Sequence, residues 1–130
     1  MSQRRTILLA IPDLMFGVRV AETARALGFT PVDAALAGLQ EAVDDHVRLI
    51  VVDTGQPGDW QTAITTLKGD PRTAAVPILA YGAHVDVTAS RAAVAAGVDR
   101  LVTRGKLMAE LPQLLQATAS KTDPRPPDHF

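Results

Sequence analysis

The chain has no cysteine among its 130 residues. That excludes disulfides and thiolate metal centres, and it is compatible with a reducing compartment. Aromatic residues are scarce, at 4 %. Trp60 and Tyr81 read as packing residues rather than a ligand platform. Charge of one sign is also lacking: the formal net charge is −1. Nucleic acid and anionic membrane surfaces both need concentrated basic charge, so neither is expected as a partner. Long apolar runs are missing too. The first, Ile7–Ile11, follows Arg4-Arg5 but stops at Pro12-Asp13. It falls short of the roughly 7–15 apolar residues of a secretory segment and of the roughly 18 of a membrane span. No membrane association is expected, and the cytoplasm is the default location.

What is present suits a packed core: 47 % apolar and 21 % charged residues. The length fits one domain, expected over residues 1–120. The tail 121–130, KTDPRPPDHF, has three prolines and little to bury, and reads as disordered. Thr6–Ile11 reads as a strand buried on both faces. Phe16, Val20, Ala24 and Leu27 share one helical face, and Gly28 supplies a stop. Thr30–Ala35 is a weaker strand, followed by a short helix marked by Leu36, Leu39 and Val43. Arg48–Asp53 is the clearest strand. Trp60, Ala63, Ile64 and Leu67 then define a helix closed by Lys68-Gly69. VPILAYG, 76–82, is a fourth strand. Asp86 caps a helix that runs to Gly97, and Asp99–Thr103 is a fifth strand. Leu107, Leu111, Leu114 and Leu115 mark one last helix, with Pro112 near its first turn if it starts at Met108 or Ala109.

Strand and helix alternate five times. The expected fold class is α/β, with a parallel sheet between two helical layers and right-handed crossovers. Sites in such sheets form at the carboxyl ends of the strands. There the stretch LIVVDTGQPG stands out, because a buried strand ends on the carboxylate of Asp53 and meets turn residues. A charge beside a core is costly unless it is paired, hydrated or used. The same edge should gather Ile11-Pro12-Asp13, Gly82-Ala83-His84 and Arg104-Gly105.

Three stretches, LIVVDTGQPG, DPRTAAVPILAYGAH and AAGVDRLVTRGK, in this order and spacing, resemble the response-regulator receiver domains of two-component signalling, the CheY-like family. The resemblance covers nearly all of residues 4–119. It implies a flavodoxin-like (βα)5 three-layer sandwich with strand order 2-1-3-4-5. It also implies that Asp53 is the phospho-acceptor. The family holds Mg²⁺ with an acidic pair after the first strand; here those positions are Ile11 and Pro12, with Asp13 next along. The family's hydroxyl after the fourth strand is Gly82. Its lysine after the fifth strand is Arg104, the next proline is Gly105, and its aromatic switch position is Leu101.

These departures point to a degenerate, pseudo-receiver variant. Phosphoryl transfer to a carboxylate depends on neutralising charge, and a metal carries much of it. Ile11 offers no side-chain oxygen and Pro12 only a carbonyl. No cofactor is expected, and a weak metal site between Asp13 and Asp53 is the residual alternative. Asp13 reads first as a helix cap. Arg104 either pairs with Asp53 or stands exposed. His84 could hydrogen-bond Asp53 or bind a transition metal with Asp13 but reads first as a solvated or backbone-bonded loop residue; His46 and His129 read as exposed, and Asp44-Asp45 and Arg4-Arg5 as solvated ends. The expected role is phosphorelay signalling without enzymatic turnover. By family analogy the partner is a protein, a histidine kinase or a downstream signalling protein, met through the face of residues 86–118, and a homodimer could use the same face. A phospho-acceptor with an altered site is the alternative. A small flavodoxin-like enzyme or cofactor binder is weaker, since there is neither a G-x-G-x-x-G after a strand nor a P-loop.

Overall fold

The computed structural model describes residues 4–120. The expected tail 121–130 and His129 lie outside the described residues. Five strands, β1 (Thr6–Ala10), β2 (Thr30–Asp33), β3 (Val47–Asp53), β4 (Ile78–Gly82) and β5 (Arg100–Thr103), form one sheet in the order 2-1-3-4-5. Each neighbouring pair is parallel. This is the flavodoxin-like arrangement the sequence implies. Among the described residues no helix is long and apolar enough to cross a membrane.

The sheet is covered on both faces because its central strands are apolar on both. Side chains alternate along a strand, and the core splits accordingly. Ile7, Leu9, Leu49, Val51, Leu79 and Tyr81 pack towards α1 (Leu14–Ala26) and the last helices. Leu8, Ala10, Ile50, Val52 and Ile78 pack the other way, towards a short 3₁₀ turn (Leu36–Gly38), α2 (Leu39–Ala42), α3 (Trp60–Gly69) and α4 (Val87–Ala96). Trp60 is half-buried against this second cluster, a packing role. The β1–β3 register slips between Thr6 and Ile7. Arg48 is the extra residue there, and its guanidinium donates to the carbonyls of Asp45 and Val47.

Helix ends follow local chemistry. Asp13, Asp59, Asp86 and Thr103 each accept a backbone N–H from three residues on. Gly28 and Gly97 take the left-handed conformation after α1 and α4. The single last helix expected from the leucine spacing is in fact two, α5 (Arg104–Ala109) and α6 (Leu111–Ala119). The chain bends at Glu110, and Pro112 lies in the first turn of α6. Proline tolerates that position but would remove a hydrogen bond from a continuous helix. All four marker leucines are nonetheless buried. His46 is half-buried rather than exposed, because its carbonyl accepts the Thr6 N–H and its own N–H meets Asp44. Arg4 and Asp44 lie 3.8 Å apart, both exposed, and Arg5 lies over the Phe29 ring.

One polar clasp ties α3, β4 and the approach to β5. Asp99 Oδ2 accepts the Ile78 N–H at 2.7 Å and Lys68 Nζ at 3.2 Å. Lys68 Nζ also donates to the carbonyls of Ala74 and Val76. The Lys68 stem needs a glycine beside it: a Cβ at Gly97 would stand 2.7 Å from Lys68 Cγ. Asp99→Ala strips the carboxylate from a half-buried ammonium and an N–H at a strand start. It should lower unfolding stability by about 2 kcal/mol in urea titration. An unchanged midpoint would show that the clasp contributes nothing.

Candidate functional site at the carboxyl edge of the sheet

Asp53 is the last residue of β3 and sits in register with Tyr81 of β4. It continues the alternating series Leu49, Val51, so it shares the α1 face of the sheet with Tyr81. Asp53 Oδ1 accepts the Gly55 N–H at 2.8 Å. Gln56 Nε2 donates to the carbonyls of both Asp53 and Ala10, at 2.8 Å each, and so joins the ends of β3 and β1. Tyr81 is buried, with 1 % of its surface exposed, and among the described residues its hydroxyl meets no hydrogen-bond partner. Burial first, and the Asp53 charge second, push its pKa up, so the phenol stays protonated.

Arg104 is committed elsewhere. Its Nη2 donates to Asp13 Oδ2 at 2.8 Å, and its guanidinium lies 4.4 Å over the Phe16 ring. Tyr81 also packs against Phe16, its ring centroid 5.0 Å from that of Phe16 at a 47° tilt. No hydrogen bond or ion pair links Arg104 to Asp53 among the described residues, so the direct pairing weighed from sequence is replaced by a pairing with Asp13. The geometry explains the choice. Arg104 opens α5, where a cation opposes the helix dipole. Asp13 and the electron-rich face of Phe16 compensate it together. Asp13 has both roles at once: Oδ1 caps α1 through the Phe16 N–H at 3.1 Å while Oδ2 holds Arg104.

The remaining residues fall around this pair. Ile11 and Pro12 leave β1 without a side-chain oxygen. His84 is exposed in the β4–α4 loop and makes no hydrogen bond to Asp53. Leu101 is half-buried in β5, paired with Ala80. Among the described residues no three His, Asp or Glu side chains gather as metal ligands.

Thr54 was not singled out by its place in the sequence. Its Oγ1 donates to the Tyr81 carbonyl at 3.1 Å. It lies 2.6 Å from where a Cβ on Gly82 would stand. A side chain at position 82 and the Thr54 hydroxyl would therefore claim the same space. Phe16, three residues after Asp13 on α1, was also missed as a site residue; its helical spacing marks it only as core.

No family model matches the chain, and no curated protein matches it. Solved structures do. The chemotaxis response regulator CheY4 of Vibrio cholerae is 18 % identical, with TM-score 0.75, over 89 % of this chain and 99 % of that one. A response regulator from Thermotoga maritima is 14 % identical, with TM-score 0.76, over 91 % and 99 %. A response regulator receiver protein from Pseudomonas putida is 19 % identical, with TM-score 0.74, over 90 % and 99 %.

Two outcomes test the site geometry. A serine at position 82 would drive its Cβ into Thr54 Oγ1, so Gly82→Ser should cost about 1–3 kcal/mol in thermal melts. Adding Thr54→Ala should recover most of that loss, whereas simply additive losses would refute the shared space. The Arg104 hydrogen bond, and after it the Phe16 N–H, hold the Asp13 carboxyl below its ordinary 3.8. A depressed carboxylate stabilises the fold above its unfolded value, and that stability is lost as pH falls through the folded value. Arg104→Gln should therefore move the Asp13 titration, followed by carboxyl-carbon NMR, up towards 3.8. An unmoved titration would mean that Arg104 is not its main partner. With the edge so arranged, the likeness to solved structures establishes one thing: this chain has the fold of response-regulator receiver domains.

Proposed function

We propose that this chain is a receiver-like module of two-component signalling that acts by contact with a protein partner, without metal-dependent phosphoryl transfer to Asp53. The observation that carries this reading is the Asp13–Arg104 pair seated on Phe16. The one basic side chain expected to neutralise a phosphoryl group is bound to a carboxylate. That carboxylate is also the nearest substitute for the missing acidic pair. Ile11 and Pro12 add no side-chain oxygen, and Mg²⁺ wants a near-octahedral oxygen shell. A donor set of this kind does not suit the ion.

An added phosphoryl group would also find little to shift, since a ligand moves an equilibrium only by contacting two states differently. Gly82 has no hydroxyl and Leu101 no ring. The face of residues 86–118 suits contact instead, because α4 exposes large apolar side chains there, Val87 at 66 % and Val94 at 77 %. A histidine kinase or a downstream signalling protein is the partner this reading favours.

One observation favours the other reading, a working phospho-acceptor with an altered site: the Thr54 hydroxyl fills the space beside Gly82. Incubation with acetyl phosphate and Mg²⁺, followed by intact mass, separates the two. The expected result is no mass increment. A phosphoryl increment that vanishes in Asp53→Asn would overturn the contact-only reading.

A further inference from the structure

A groove of about 1080 Å³ opens at the carboxyl ends of β1, β2 and β3. One wall is α1, through Leu14, Val18, Ala21 and Arg25 at spacings of four, three and four. The rest of the lining mixes small residues, Ala34, Ala35 and Gly58, with Leu36, Leu39 and Gln40. The space exists because the segment after β2 forms only a 3₁₀ turn and a four-residue helix. Among the described residues no longer helix covers the sheet edge there. The volume is that of small-molecule sites. The place is the crevice beside the point where strand order reverses, where α/β sheets bind ligands. Leu14 and Val18 are 78 % and 49 % exposed along it, more than a helix wall without an occupant needs.

The charges around the groove decide what it can accept. Four carboxylates line it, Asp13, Asp33, Glu41 and Asp59, against one cation, Arg25. Asp13 holds Arg104, and Asp59 holds the backbone and hydroxyl of Thr62. Asp33, at the end of β2, and Glu41, on α2, have neither a hydrogen bond nor an ion pair among the described residues. Both carboxylates are exposed and hydrated; an anion entering here meets repulsion, while a cation gains an attraction that a neutral body does not. We propose that the groove binds a small organic cation, an amine carried on an apolar body, with Asp33 and Glu41 receiving the ammonium and Leu14, Val18 and Ala21 receiving the apolar part. The groove borders the Asp53 site and shares Asp13 and Gln56 with it, but neither Asp33 nor Glu41 belongs to that site.

The test is an amide NMR titration of the full chain at neutral pH. The probes are 4-phenylbutylamine and its charge-inverted counterpart, 4-phenylbutyrate. The amine should shift the amides of Gly17, Val18, Ala21, Asp33 and Glu41, and the carboxylate should not. The double variant Asp33→Asn, Glu41→Gln removes two exposed charges and should weaken amine binding about five-fold. Val18→Trp fills the groove from an exposed helix position and should abolish the response while the melting temperature holds. The proposal fails if the groove amides stay still. It also fails if the butyrate shifts them equally, if the double variant binds the amine unchanged, or if the shifts gather at the apolar patch of Val85–Ala95. A lysine-rich amphipathic helical peptide run alongside gives the last outcome: occupancy by the peptide and not by the amine would make the groove a protein contact and overturn the small-cation assignment.

Discussion

A parallel sheet has to be buried on both faces, and much of this molecule follows from how β1, β3 and β4 meet that demand. Their side chains fill two separate clusters, one against α1 and α6 and one against α2, α3 and α4. At the carboxyl edge the cover ends before the strands do. Asp53 is the first position on its face of β3 that the core no longer encloses; it is half-buried, where Leu49 and Val51 are fully buried. The same face of β4 ends on Tyr81, still within the core, so a phenol and a carboxylate stand side by side at the boundary. Asp53 is placed there by strand length and alternation, and whatever chemistry it has is inherited from that position.

The electrostatics of the edge then depend on which anion secures the nearby cation. Arg104 has two carboxylates within its neighbourhood and is bonded to Asp13. Asp13 comes from the loop before α1 and Arg104 opens α5, so their union joins the first and last thirds of the chain across the top of one helical layer. Phe16 broadens the seat for the guanidinium, and the Tyr81 ring packs against Phe16. A partly exposed ion pair on its own contributes little. This one is held by a ring stack, a helix cap and a charge-assisted hydrogen bond together, which makes it costly to redirect towards Asp53.

The fold was legible because it is written in repeated, cooperative signals. Unbroken apolar runs such as Ile7–Ala10 and Leu49–Val52 admit little but a buried strand, and the helices between them keep a steady period. The break at Glu110 was not legible. Four leucines at helical spacing look alike whether one helix or two carries them, and only the backbone constraint of Pro112 distinguishes the cases. The candidate site was half legible. Asp53, Asp13, Gly82, His84 and Arg104 do collect at one edge, because topology alone brings loop ends together. Which of them touch was not written in their order. The choice of Arg104 between two carboxylates turned on Phe16, a residue whose spacing speaks only of packing. The meeting of Thr54 with Gly82 is a fact of strand register.

The segment after β2 is fastened from a distance. Arg72, in the α3–β4 connection, donates to the carbonyls of Gln40 and Val43, each at 2.6 Å, while Gln40 donates to Asp70. Four residues of helix have almost no cooperativity of their own. That short helix is thus anchored by its buried Leu39 and the flanking Leu36 and Val43, and latched by the Arg72 guanidinium, rather than held by its own hydrogen bonds. Insertions or deletions between Ala34 and Gly38 could reshape the mouth of the groove while the latch and the sheet stayed as they are. Related chains would then be free to diverge in what they admit there without renegotiating the fold.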